Sequence, residues 1–187
     1  MGAALLLVVA AAVAAPPAPP EPTADELAKL TARDIVVRTE TSEDGGSVVG
    51  LIDVAATPER TWAAVMDLPA RVDAIGALKS VETYDVTDTG LGATWTLKVF
   101  GVSVVFSSLY ALDREHWTCV YDLDRSKDND LTDASGSYQL VPLEGGTRIV
   151  YRSKMATGGP VPGFVKRWLA VDALTEQLTD MRARAER

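Results

Sequence analysis

The last segment of the chain carries the clearest pattern of apolar and polar positions. A Gly/Pro-rich stretch at 158–163 leads into residues 164–187, where apolar residues recur at the helical period of about 3.6 residues. The apolar side comprises Val161, Phe164, Trp168, Val171, Leu174, Leu178 and Met181. The opposite side comprises Lys166, Ala170, Ala173, Gln177 and Asp180. A helix with so broad an apolar face must pack on a surface of similar length.

Residues 78–156 supply that surface. Stretches of strand composition alternate with short turns, such as those at 113–116 and 143–146, and apolar and polar positions alternate around Trp95. Connections this short join antiparallel neighbours, so the pattern predicts a meander. The predicted strands span residues 78–86, 92–100, 102–113, 116–125, 131–141 and 147–156.

The residues before this meander predict a strand hairpin and two short helices. Residues 35–39 and 47–55 have strand composition and flank a turn at 42–46. Thr57 and Pro58 mark a helix start, and a second short helix is predicted at 70–75. The predicted fold class is α+β: a curved antiparallel sheet of about seven to eight strands gripping a long C-terminal helix, with two short helices between strands 2 and 3.

The N-terminus resembles an export signal. Residues 2–15 carry no charge, and they are too few to span a bilayer, which takes about 20 apolar residues. An uncleaved apolar arm is the alternative. The predicted organisation is a signal peptide at 1–15, a Pro-rich linker at 16–22, a short helix at 23–33 and one domain at 34–187. We therefore expect a periplasmic or extracellular protein.

Composition and charge exclude several classes of partner. The 47% hydrophobic and 24% charged fractions are those of an ordinary globular domain. A formal net charge of −8 argues against nucleic acid and against anionic membrane surfaces as partners. The single cysteine, Cys119, excludes an intrachain disulfide, and nothing in the sequence predicts a particular protein partner.

No catalytic residue, metal site or cofactor is predicted. The single histidine, His116, lies in a predicted turn beside Glu115 and near Asp113. At such a position an exposed histidine is a simpler interpretation than a general base. Cys119 is interpreted as a small core residue. The acidic stretch 122–133 lacks the glycine and the closing glutamate of a helix-loop-helix calcium site.

A family resemblance adds to this interpretation. Residues 50–69 run from a strand into Thr-Pro-Glu-Arg-Thr-Trp at 57–62 and then stop at Asp-Leu-Pro. Together with Val81 and Glu82 and the segment 160–169, they make residues 34–187 resemble the START-like (SRPBCC) superfamily, the helix-grip fold of pollen-allergen-like and polyketide cyclase/dehydrase-type proteins. The resemblance implies an apolar cavity between sheet and helix for lipids, quinones, sterols or polyketides. It implies no shared catalytic residues.

The resemblance and the alternating pattern together predict the residues that would line such a cavity. They are Trp95, Leu97, Val99, Phe106, Tyr110, Tyr121, Tyr138, Tyr151, Phe164, Trp168 and Val171. The leading hypothesis is an exported, non-enzymatic carrier of a hydrophobic small molecule. One alternative is a cyclase-, dehydrase- or hydrolase-type enzyme that uses tyrosine or aspartate groups in the same cavity. Another is a domain whose core these residues simply fill.

Overall fold

One curved, open, antiparallel sheet organises the part of the chain that the structure describes. The computed structural model describes residues 16–41, 45–99, 101–157 and 171–187. Eight strands in these ranges follow the order β1-β2-β8-β7-β6-β5-β4-β3. They are β1 (Val36–Thr41), β2 (Gly45–Val54), β3 (Leu78–Tyr84), β4 (Gly90–Val99), β5 (Val102–Asp113), β6 (Thr118–Leu123), β7 (Asp133–Leu143) and β8 (Gly146–Ala156). The predicted fold class is confirmed.

The helices begin where the sequence places capping residues. Thr23 and Glu26 form a capping box at the start of α1 (Ala24–Thr31), and Thr57 caps α2 (Pro58–Met66). The predicted second short helix is a 3-10 helix, Pro69–Asp73. The C-terminal helix is described as α3 (Ala173–Ala185), and the predicted beginning of that helix at 164–170 lies outside the described residues.

The helices α2 and α3 pack on one face of the sheet, which we call the inner face. Leu174, Leu178 and Met181 of α3 are buried there. A Cβ atom added to Gly50 on β2 would lie 2.7 Å from Leu178 Cδ1, so glycine at this position lets the helix approach the sheet closely. Trp62 and Val65 bury the contacting side of α2.

The opposite face, the outer face, is partly covered by the N-terminal residues. Leu30 of α1 is buried against Val36, Leu51 and Val150 in a second, smaller apolar cluster. The carbonyl of Ala18 accepts a hydrogen bond from Arg152 Nη2 at 2.8 Å, and the carbonyl of Glu21 accepts one from Arg38 Nη2 at 3.1 Å. The described part of the Pro-rich segment therefore lies against the sheet.

The acidic stretch after β6 completes the hydrogen bonding of β5. Strand β6 is shorter than β5, and the loop that follows it bonds to Ser107 and Val105 instead. The Ser107 N–H donates to Asn129 Oδ1 and the Val105 N–H donates to Asp130 Oδ2, each at 2.7 Å. The Asp124 N–H donates to the Ser107 carbonyl at 2.8 Å. The polar side chains of this stretch therefore have a structural use.

Candidate functional site

Stacked aromatic rings cross the inner face. Six of the predicted side chains lie there, each less than 10% exposed: Trp95, Phe106, Tyr110, Tyr121, Tyr138 and Tyr151. Because cross-strand partners share a face, the sheet register pairs them as Trp95–Phe106, Tyr110–Tyr121 and Tyr138–Tyr151. The ring centroids of these pairs are 6.3, 5.2 and 4.6 Å apart, and Tyr121 and Tyr138 are 6.1 Å apart. We call these six side chains the aromatic row.

The other predicted site residues are less closely associated with it. Leu97 and Val99, near the end of β4, are half-buried, and Leu97 packs against the core. Val171, just before α3, is also half-buried. Phe164 and Trp168 lie outside the described residues. For all of these residues, and for the aromatic row, contact with a ligand stays a prediction.

The tyrosine hydroxyls in the row bond to one another and to neighbouring donors. The hydroxyl oxygens of Tyr121 and Tyr151 are 3.0 Å apart. The Tyr138 hydroxyl accepts hydrogen bonds from Arg71 Nη1 at 3.0 Å and from Gln177 Nε2 at 2.5 Å. Burial raises the pKa of Tyr121 and of Tyr138 well above the ordinary value, so these hydroxyls stay neutral at physiological pH. They can therefore donate and accept hydrogen bonds without carrying charge.

Sequence reasoning missed Arg71, which lies at the centre of this arrangement. Its side chain reaches from the 3-10 helix to the inner face and is 1% exposed. Nη2 donates to the Val65 carbonyl at 2.6 Å, and Cζ lies 5.6 Å from the Trp95 ring centroid and 5.2 Å from that of Tyr138. A five-residue helix is too short for a periodic pattern, so an arginine in it has the signature of a solvent-exposed residue.

The guanidinium of Arg71 remains charged in this environment. Burial acts to lower the pKa of Arg71, but the polar contacts around the guanidinium, led by the one with Tyr138, hold the pKa above its ordinary value. The inner face thus holds a permanent positive charge.

Gln177 is a second residue that sequence reasoning misjudged. The helical projection assigned it to the side of the C-terminal helix away from the apolar stripe, whereas it is half-buried and bonds to Tyr138. Because Gln177 is only three residues beyond Leu174 on α3, it lies at the border of the apolar stripe, within reach of the sheet.

Several buried polar atoms near the aromatic row lack hydrogen-bond partners. Within the described ranges, these include Arg71 Nε and Ser108 Oγ, whereas the Trp95 indole N–H is within reach of the Tyr110 hydroxyl. Ser108 lies between Phe106 and Tyr110 on β5, and its side chain points to the same face because residues two apart on a strand share a face. Leaving such a group buried and unbonded costs about 1–3 kcal/mol. A filled protein core seldom tolerates several of them together.

The candidate acid–base groups of the sequence do not join this arrangement. His116 is exposed, and its Nδ1 lies 2.8 Å from Asp113 Oδ2, which raises the pKa of His116. Cys119 is fully buried, and burial raises its pKa to about 12, which excludes a thiolate at neutral pH. Asp124, the one buried carboxylate among the described residues, accepts hydrogen bonds from Tyr84 at 2.7 Å and Ser126 at 2.6 Å.

Comparison with known proteins decides the family. Residues 45–186 match the profile of the family described as polyketide cyclase / dehydrase and lipid transport. The chain belongs to this family. The resemblance to the START-like superfamily is thereby confirmed, and the family and the fold together fit a domain that binds hydrophobic ligands. No protein among the curated sequences matches the chain.

Solved structures of other START-like proteins share the fold at low sequence identity. A STAR-related lipid transfer protein from Xanthomonas axonopodis is 14% identical with a TM-score of 0.66, and the match covers 82% of this chain and 94% of that one. The Zhui aromatase/cyclase from Streptomyces is 17% identical with a TM-score of 0.63, covering 81% and 95%. Human StAR-related lipid transfer protein 5 is 16% identical with a TM-score of 0.62, covering 81% of each chain.

None of the helices described here is both long and apolar enough to span a membrane.

Proposed function

We propose that this START-like domain is an exported carrier of a hydrophobic small molecule such as a lipid, quinone, sterol or polyketide-like compound. The ligand lies between the inner face of the sheet and the C-terminal helix. The observation that carries the proposal is the aromatic row, which puts six large rings on the face that the helix covers. Aromatic walls with a few placed polar groups are typical of small-molecule sites.

Two further observations support a ligand over a filled core. Arg71 Nε and Ser108 Oγ are buried beside the row without partners, as expected of groups that a bound ligand would satisfy. Proteins with the same fold carry the names lipid transfer protein and aromatase/cyclase, which refer to small-molecule ligands or substrates. The uncharged residues 2–15 support export.

To test binding, the full chain is expressed in a bacterial host, purified, and extracted into organic solvent for mass spectrometry. We expect a hydrophobic compound to co-purify, and a panel of fatty acid, sterol and quinone to raise the melting temperature. The variant Tyr110→Ala should lose most of the ligand-induced shift, whereas Tyr84→Ala, on the outer face, should keep it. An empty protein that no member of the panel stabilises would contradict the proposal.

Export is tested separately. We expect the protein to be recovered from the periplasm or the medium, with its N-terminus near residue 16 by mass spectrometry. A cytosolic protein that retains residues 2–15 would contradict export while leaving the binding proposal intact.

A cyclase-, dehydrase- or hydrolase-type enzyme is the second candidate, favoured by the contact between Arg71 and the Tyr138 hydroxyl. The raised pKa of Tyr138 makes it a poor general base at neutral pH. In the described part of the inner face, neither a carboxylate nor an imidazole accompanies it. Binding is therefore the better supported function. Turnover of a co-purified compound by wild-type protein but not by Tyr138→Phe would reverse this ranking.

A further inference from the structure

The guanidinium of Arg71 is a buried charge without a counter-charge. Among the described residues it is the only lysine or arginine in the buried class, and no carboxylate forms an ion pair with it. Its polar contacts are the Tyr138 hydroxyl and the Val65 carbonyl, which are both neutral. Buried charges in proteins are normally paired, because an unpaired one forfeits its hydration for little return.

The hydrogen bonding of this guanidinium is also incomplete. A guanidinium has five N–H donors, and those of Arg71 make two hydrogen bonds, one from each Nη atom. Nε has no partner in the described structure, whereas the indole N–H of Trp95, whose ring lies against the guanidinium, is within reach of the Tyr110 hydroxyl. The Tyr138 hydroxyl accepts from Arg71 and from Gln177, which leaves its own proton free to donate. The groups around Arg71 that still lack a partner are thus hydrogen-bond donors, and a ligand that satisfies them must supply an acceptor.

We propose that the hydrophobic ligand carries a carboxylate, that Arg71 binds this carboxylate, and that the aromatic row contacts the apolar body. This inference rests on the proposed binding function and names its ligand class. A carboxylate matches the planar guanidinium in shape and its single positive charge in magnitude. A phosphate monoester, with a charge of about −1.5 to −2, would leave excess negative charge buried beside neutral rings. An alcohol would leave the positive charge unpaired.

The test compares acids with their methyl esters, which have the same apolar body and no charge. Purified wild-type protein is titrated at pH 7.5 with dodecanoate and methyl dodecanoate, and with 2-naphthoate and methyl 2-naphthoate, by calorimetry or tryptophan fluorescence. We expect at least one acid to bind about tenfold or more tightly than its ester, since hydrogen bonds to a charged group are the stronger kind. Arg71→Met should reduce the affinity for that acid to that for the ester, and leave the affinity for the ester within about threefold.

Arg148→Met is the matched control, because Arg148 lies on the outer face and pairs with Asp53; it should keep the preference for the acid. Circular dichroism establishes whether Arg71→Met folds, and the wild-type comparison of acid with ester needs no variant. Equal binding of acids and esters by wild type would overturn the carboxylate inference while the carrier proposal stands. The same holds if neither acids nor esters bind but a sterol or a quinone does. Failure of every compound to bind would overturn both.

Discussion

On the outer face, Arg38 and Arg148 pair with carboxylates, whereas on the described part of the inner face the guanidinium of Arg71 is surrounded by rings and neutral groups. Arg148 forms a two-point ion pair with Asp53, with distances of 2.6 and 2.8 Å. Arg38 binds Glu26 in the same way, at 2.8 and 2.6 Å. Arg71, more deeply buried than either of them, has a phenol and a backbone carbonyl.

This difference separates what stabilises the domain from what it offers to a ligand. On the outer face, the polar groups of these arginine pairs are satisfied, and the apolar cluster around Leu51 is covered by α1. The inner face has kept unsatisfied donors beside large rings, an arrangement that lowers stability unless something binds there. Five experiments test this contrast.

The largest effect is expected at high pH, on the inner face. Burial raises the pKa of Tyr110, Tyr121 and Tyr138, so the folded state holds their protons above pH 10, where unfolded tyrosines release them. The stability tied to these groups is present below pH 10 and falls as pH rises, by about 1.4 kcal/mol per tyrosine and pH unit. We expect absorbance at 295 nm to show these tyrosines ionising together with unfolding. Independent ionisation near pH 10 in folded protein would contradict their burial.

The outer face should respond in the opposite direction. The hydrogen bonds from Arg38 hold the pKa of Glu26 at about 2, below its ordinary value of 4.5. The contribution of this pair is therefore present above pH 4.5 and is lost as pH falls towards 2. Glu26→Gln should flatten the acid limb of a stability-against-pH curve and leave the alkaline limb unchanged.

The next effect concerns the apolar cluster on the outer face. Leu51 is fully buried there, so Leu51→Ala should lower the free energy of unfolding by about 2–4 kcal/mol in urea denaturation. Leu109 lies on the same face but is 49% exposed, and Leu109→Ala should change the free energy by less than about 0.5 kcal/mol. Similar losses for both variants would show that α1 does not distinguish the two positions.

Replacing an arginine by methionine on each face should give smaller and unequal effects. Arg148→Met leaves Asp53 without its partner and should cost about 1–3 kcal/mol of unfolding free energy, with ligand binding unchanged. Arg71→Met removes a buried charge together with two hydrogen bonds, and these changes offset each other to within about 1 kcal/mol. If Arg71→Met lowers the free energy of unfolding more than Arg148→Met does, the role of Arg71 is to stabilise the fold.

The smallest effect is expected at the surface turn that holds the single histidine. The hydrogen bond that the His116 ring donates to the Asp113 carboxylate raises the pKa of His116, so Asp113→Asn should return that pKa towards 6.5, as followed by NMR. Both side chains are exposed, so ligand binding should be unaffected. Loss of binding in this variant would give His116 a role that its position does not suggest.

The parts of this structure that local patterns govern could be predicted from the sequence. Thr57 and Pro58 begin a helix, and short turns make the strands from β3 onwards neighbours. Alternation puts Trp95 and Leu97 on one face, because side chains two apart on a strand point the same way. The pairing of β2 with β8 and the inward reach of Arg71 could not be predicted. They depend on contacts between residues far apart in sequence, and a single arginine in a short helix leaves no periodic signal.

That pairing of β2 with β8 also bears on how the domain folds. Val54 pairs with Thr147, and the chain between these two residues contains α2, the 3-10 helix and five further strands. The pairing of β2 with β8 therefore closes a long loop. Closing so long a loop is slow, whereas the β1–β2 hairpin and the meander need only neighbouring segments. Gly50, where α3 approaches the sheet, lies on β2. The inner face is therefore complete only when β2 has paired with β8. A ligand that needs both elements arrives after the rate-limiting step, and it should slow unfolding far more than it speeds folding.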